Sequence, residues 1–331
     1  MNSPLVSVVI PAYNASNWIA ETLESVLAQD YVPFEVIVVD DGSKDDTMTV
    51  VAGFDERVRC IHKPNGGQGS ARNVGVRASR GEYIAFVDAD DLWVKEKLKI
   101  QLDLLVKTGI CWVYSDVIAF DDKTGKDLFR FGEKALQYEG DVLESLFLSC
   151  FIQSPTPVIH RSIFKTIGYF DESEKLRNRE DWDMWLRIAS KYPVGLISQP
   201  LAYYRVHNTS MTGGEDPIKN LQGHLRVIEK TVDQVPERLL SLKNQAIASC
   251  YIGTGQVLAL AGNLKTARQM FLHSIYLTPK NWKAYLYWFV CLFGKQILEI
   301  AVQFKRWIGR NRRAICNLLR VECHDIGGRT N

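Results

Sequence analysis

The sequence predicts an α/β fold, a doubly wound sheet flanked by helices, followed by an all-helical extension. Three observations predict it. Short, nearly continuous β-branched runs recur in the first two thirds of the chain. Helix-compatible stretches separate them. After about Thr212-Gly213-Gly214-Glu215 the texture turns helical and the charge turns basic.

The first run, residues 5–10, ends at Pro11; the second, 35–39, ends at Asp40-Asp41-Gly42-Ser43. Residues 58–62 form a weaker third run, and 83–87 a fourth that ends at Asp88. Runs without polar alternation suit strands buried on both faces. Residues 18–29, 45–53 and 68–78 supply the intervening helices. Polar clusters directly after strand ends lie where such sheets bind ligands.

The chain has 331 residues, enough for one large domain and a smaller one. It is 46% hydrophobic and 24% charged, a globular composition. Seven scattered cysteines, odd in number and without a Cys-x-x-Cys pair, exclude a disulfide framework and a zinc knuckle and predict a reducing compartment. No secretory leader is legible at Met1-Asn2-Ser3-Pro4. The most apolar run, 284–293, is bracketed by Lys283 and Lys295, too short for the ~20 residues of a membrane span.

The net charge of +2 is a cancellation: residues 1–215 carry −8 and residues 216–331 carry +10. The near-zero total alone would argue against nucleic acid. The split weakens that argument, and the exclusion rests on the motifs of the first part. The expected division is therefore 1–215 and 216–331. Within the second part, Tyr251, Gly255, Ala261-Gly262-Asn263, Ala267, Phe271 and Pro279 follow a tetratricopeptide-like pattern over about 244–279. Lys305-Arg306, Arg310, Arg312-Arg313 and Arg320 interleave with Trp307, Ile308, Ile315 and Leu318. That basic amphipathic helix reads either as a membrane-surface segment, contacting lipid through 282–320, or as a solvated helix docked on the acidic part.

Five clusters carry chemistry. Asp88-Ala89-Asp90-Asp91 follows a buried strand. Carboxylates at i and i+2 of an extended segment point the same way and can share a hard divalent cation; the alternative is helix capping, which suits Asp91. Asp40-Asp41-Gly42-Ser43 offers a carboxylate to a base imide or a ribose hydroxyl. Asn65-Gly66-Gly67-Gln68-Gly69-Ser70-Ala71-Arg72 could free amides for an anion, with Arg72 meeting a diphosphate, or could be a plain turn. Glu180 and Asp181 open a helix whose Trp182, Trp185 and Leu186 share a buried face. A carboxylate there can take a proton from a sugar hydroxyl, or simply favour the helix N-terminus. Arg205 and His207 alternate onto one face of the fifth cluster.

In this order, Val8-Val9-Ile10-Pro11-Ala12-Tyr13-Asn14, Val38-Val39-Asp40-Asp41-Gly42-Ser43, Gly69-Ser70-Ala71-Arg72-Asn73, Asp88-Ala89-Asp90-Asp91, Glu180-Asp181 and Tyr204-Arg205-Val206-His207 resemble the family 2 inverting glycosyltransferases of GT-A fold. The resemblance spans about residues 5–212. It implies a Rossmann-like mixed sheet and transfer of a sugar from a nucleotide-diphospho-sugar, UDP-linked, to a glycan or lipid-linked acceptor hydroxyl, in cell-surface polysaccharide or glycolipid synthesis. It implies that Pro11, Tyr13 and Asp40 line the base pocket and that Arg72 and Arg205 meet the donor. Asp88 would lie near the ribose and metal, while Asp90 and His207 complete a Mn²⁺ or Mg²⁺ site. Asp181 would be the catalytic base, with Glu180 positioning sugar or acceptor. The implied location is cytoplasmic, peripheral on the inner membrane face. Two other classes compete. A scaffold with a non-catalytic core is disfavoured by the intact Asp88, Asp90 and Asp181. A sugar nucleotidyltransferase would carry a basic Gly-rich loop where Pro11-Ala12-Tyr13-Asn14 stands.

Overall fold

The computed structural model describes residues 3–134, 136–176, 178–208 and 216–293. Among these residues lies a nine-stranded mixed sheet: β1 Val6–Ala12, β2 Phe34–Asp40, β3 Val58–His62, β4 Tyr83–Phe86, β5 Leu92–Trp93, β6 Trp112–Asp121, β7 Asp127–Arg130, β8 Val158–His160 and β9 Gly195–Val206. The order is β3-β2-β1-β4-β8-β6-β9-β5, with β7 beside β6. The first four predicted runs are the parallel half, β3-β2-β1-β4. Direction reverses at β4–β8 and β8–β6, then β6 and β9 run parallel.

Each face of the parallel half is covered. Val36 and Val38 pack with Ile19, Leu23 and Val26 of the Ile19–Leu27 helix and with Leu98, Leu102 and Leu105 of the Lys97–Thr108 helix. Ile37 and Val39 face the other way, onto Ala71 of the Gln68–Ala78 helix. All seven residues of β1 are buried, as a strand covered on both sides requires. Gly75 sets the approach of the Gln68–Ala78 helix: a Cβ there would stand 2.3 Å from Val9 Cγ1. The Glu180–Ala189 helix is seated by aromatic packing. Trp185 lies 5.9 Å from Phe170 and 6.3 Å from Trp112, ring centre to ring centre.

The first compact unit runs to Ala246, whereas the boundary expected from the sequence lies at 215. The reason is the Pro217–Gln234 helix, which buries Leu221, Val227 and Ile228. Its Lys230 bridges Asp171 and Asp183, at 2.7 Å each. The second unit begins at Ile247, so the Lys243–Leu260 helix crosses the division. The second unit contains the Leu264–Leu277 and Trp282–Val290 helices. Gly262 turns the chain at φ +89°, and Asn263 caps the next helix through Thr266 N–H. Phe271 occupies the space a Gly255 side chain would take and stacks on Tyr287. The basic residues 305–320 lie outside the described residues. No described helix is long and apolar enough to cross a membrane.

Candidate active site

The C-terminal ends of β1, β2 and β4 meet at one edge of the sheet, since Ala12 registers with Asp40 and Val9 with Phe86. Asp88 follows β4 there. Its Oδ1 accepts a hydrogen bond from Arg72 Nη2 at 2.7 Å. Arg72 Nη1 reaches Glu180 Oε1 at 3.2 Å, and the guanidinium lies 5.6 Å from the Phe170 ring centre. Arg72 is thus a buried cation between two carboxylates contributed by distant segments. Burial pushes the Asp88 and Glu180 carboxyls above their usual range, against the opposing pull of Arg72. Glu180 Oε2 is buried with no hydrogen-bond partner among the described residues.

Arg72, expected to meet a diphosphate, lies beneath the surface on the protein's own carboxylates. The glycine loop likewise holds an internal anion: Gly66 and Gly67 N–H donate to Asp41 at 2.9 and 2.7 Å, and Lys63 joins it at 2.5 Å. Of the base-pocket group, Tyr13 is 47% exposed and available. Pro11 is buried within β1. Asp40 is fully buried: its carboxylate accepts from Ser43 N–H at 3.2 Å and meets His62 Nδ1 at 2.6 Å. Asp40, expected to line the base pocket, thus points inward onto Ser43 and His62.

Asp90 and His207 meet directly, Oδ2 to Nε2 at 3.0 Å. Trp18 stacks on the imidazole with ring centres 4.0 Å apart. Arg205 is a structural tie. It donates to the Asp90 carbonyl at 2.7 Å, to Asp122 at 2.8 Å and to Glu21 at 2.6 Å. Its backbone N–H donates to Asp91 Oδ1 at 2.9 Å. Burial, with Asp90 and Asp88 adding to it, pushes the Asp91 carboxyl well above its usual range.

Asp181 stands half-buried at the start of the Glu180–Ala189 helix. Its Oδ2 accepts from Ser154 Oγ at 3.0 Å and its Oδ1 from Trp182 N–H at 2.7 Å. His224 packs edge-on against Trp182, ring centres 5.6 Å apart. Burial, reinforced by Arg179, takes the His224 imidazole down to about 4, so it is neutral at pH 7. Ser154, Trp18, Glu21, Asp122 and His224 carry no motif, and their roles follow from contacts across long stretches of chain.

Asp90 and His207 offer an oxygen and an imidazole nitrogen at a separation two ligands of one ion can have, a donor pair acceptable to Mn²⁺ or Mg²⁺. Asp88 does not join them: its carboxylate is turned to Arg72. Among the described residues no three His, Cys, Asp or Glu side chains gather in ligating geometry.

Comparison with known proteins gives consistent matches. The model of "Glycosyl transferase family 2" matches residues 7–168. An uncharacterized glycosyltransferase of Rickettsia felis is 35% identical over 212 residues, 62% of this chain and 34% of that relative. The chain thus spans about a third of that relative's length. The UDP-Glc:alpha-D-GlcNAc-diphosphoundecaprenol beta-1,3-glucosyltransferase WfaP of Escherichia coli is 31% identical over 250 residues, covering 73% of this chain and 93% of WfaP. The crystal structure of S. aureus TarS 1-349 in complex with UDP-GlcNAc has a similar fold, with TM-score 0.61 and 20% identity over 90% of this chain and 91% of that one.

Proposed function

The chain belongs to glycosyl transferase family 2, and from that premise we propose that it transfers a sugar from a UDP-linked donor to an acceptor hydroxyl with inversion at the anomeric carbon. The observation that carries this reading is the convergence of Asp88, Glu180 and Asp181 around Arg72 beside the Asp90–His207 pair. A lipid-linked saccharide acceptor, in cell-surface polysaccharide synthesis, is supported by the likeness to WfaP.

In this mechanism Asp181 accepts the proton of the acceptor hydroxyl as that oxygen bonds to the anomeric carbon. The bond from that carbon to the diphosphate oxygen breaks on the opposite face. Glu180, buried against Arg72, fixes the start of the helix that carries Asp181. Arg72 keeps Asp88 and Glu180 in place rather than clamping phosphate. Tyr13 covers the base. Asp90 and His207 would hold Mn²⁺ or Mg²⁺, with diphosphate oxygens and water completing the set. When bound, the ion would neutralise charge growing on the leaving diphosphate.

Calorimetry with UDP tests the ion site. We expect Mn²⁺ to strengthen UDP binding to the wild type and Asp90→Ala to remove that gain, roughly tenfold or more in Kd. Equal affinity of the two proteins in Mn²⁺ would remove the site.

Peripheral membrane contact is the second part of the proposal. The Trp282–Val290 helix buries Ala284 and Tyr287 and leaves Trp282, Tyr285, Leu286 and Phe289 exposed. Residues 280–331 add a net positive charge of +7. Aromatic and basic side chains together suit an anionic bilayer surface. The full chain should float with phosphatidylglycerol vesicles and not with phosphatidylcholine ones, and Trp282→Glu with Phe289→Glu should abolish flotation. Equal flotation of the double variant would defeat this assignment.

A further inference from the structure

We propose that Ser154 is a positioning residue for Asp181, and that a buried clamp of Trp93, Lys97 and Gln101 holds Ser154 in register. This inference rests on the reading of Asp181 as the base.

Ser154 Oγ and Trp182 N–H each donate to a different oxygen of the Asp181 carboxylate. Two donors on two oxygens leave the carboxylate little freedom to rotate. The Trp182 amide belongs to the same helix as Asp181, so it cannot aim the group relative to the rest of the site. Ser154 can, because it comes from the segment before β8.

That segment, 149–157, has no helix or strand of its own. A serine on such a segment would ordinarily wander. Here the next two carbonyls are caught from below. Trp93 Nε1 donates to the Pro155 carbonyl at 2.9 Å. Gln101 Nε2 and Lys97 Nζ donate to the Thr156 carbonyl at 2.9 and 3.0 Å. Lys97 Nζ also meets Gln101 Oε1 and lies 4.4 Å from the Trp93 ring centre. The segment closes on itself as well: Thr156 N–H and Oγ1 both donate to the Gln153 carbonyl, at 3.0 and 2.8 Å.

Lys97 makes the clamp unusual. It is fully buried, as are Gln101 and Thr156. Its bonds go to a carbonyl and an amide oxygen, and no salt bridge to a carboxylate forms among the described residues. Burial pushes its amine well below the ordinary lysine range. An apolar side chain would fill this space at lower cost. What the amine supplies is a fixed polar contact under the segment that carries Ser154, the arrangement a preorganised site requires.

The test uses the full chain and UDP release from UDP-glucose and UDP-N-acetylglucosamine, with a crystal structure of Ser154→Ala as an assay-independent reading. We expect Ser154→Ala to lower kcat about tenfold to a hundredfold, with donor KM and Tm unchanged. Ser154→Thr, which keeps the hydroxyl, should recover most of the loss. Trp93→Phe, which removes the donor to Pro155 together with part of the ring that packs on Lys97, should lower kcat in the same direction by less. In the Ser154→Ala crystal the Asp181 carboxylate should leave its wild-type rotamer. Asp181→Asn is measured alongside. If it is inactive while Ser154→Ala keeps wild-type kcat and rotamer, the positioning role is overturned and the base stands. If Asp181→Asn keeps full turnover, the base reading itself falls and the positioning role with it. A kcat loss in Ser154→Ala matched by a fall in Tm, without recovery by threonine, also overturns the proposal.

Discussion

Asp181→Asn is expected to lower kcat by about 10³-fold, within the range a positioned general base contributes. The substitution keeps size and shape. Asparagine can still accept from Trp182 N–H, and its amide can turn to the Ser154 hydroxyl, which then accepts. Geometry therefore survives while the proton acceptor is lost. UDP affinity by calorimetry and Tm should both stay at the wild-type value, because Asp181 is placed on the acceptor side and is half-exposed. Turnover is read as UDP release. A variant that turned over at the wild-type rate would move the base elsewhere, and Glu180, the adjacent carboxylate on the same helix, would be the next group to test.

Arg72→Met should have the largest effect on stability. It removes the cation between Asp88 and Glu180 and leaves two carboxylates without their partner. Breaking such a buried pair costs about 3–5 kcal/mol, on the order of 10 °C in Tm. The pH dependence has a definite sign. Burial already raises both carboxyls in the folded protein, and loss of Arg72 raises them further. A group with a raised folded pKa favours the fold while protonated and loses that contribution as pH rises through the raised value. The difference in Tm between wild type and Arg72→Met should therefore be smallest near pH 4.5 and grow toward pH 8. A constant difference across that range would show that these carboxylates do not titrate with the fold.

The parallel half of the fold was legible because its strands are apolar on both faces and end at turn residues. Residues 5–10, 35–39, 58–62 and 83–87 lie in or within a residue of β1 to β4. The other half was not legible. In β9 the stretch Ser198-Gln199-Pro200 interrupts the apolar run, and the β6–β9 register shifts around Asp116. The Pro217–Gln234 helix packs through Leu221, Val227 and Ile228 and is tied by Lys230 to Asp171 and Asp183, partners that lie far from it in the chain. In the site, residue types were readable and partners were not. Nothing adjacent to Arg72 says that Glu180, 108 positions away, occupies half of its fork. Nothing near Asp40 says that His62 will turn it inward. Sequence spacing reports which side chains share an edge, whereas burial and cross-chain contacts decide which of them face a ligand.

The long reach of the ties at the β9 end has a consequence for how the protein comes to exist. Arg205 meets Glu21 across 184 positions, and His207 meets Asp90 across 117. Contacts of such separation form late, since closing long loops costs entropy before it returns contacts. During synthesis, at about 5–20 residues per second, the first four strands emerge well before β9 exists. The nascent chain thus holds its acidic Asp88–Asp91 segment without Arg205 or His207 to neutralise it. The ties of Arg205 and His207 can form only once β9 has been made, and a chain ending before Arg205 carries the earlier motifs without these partners.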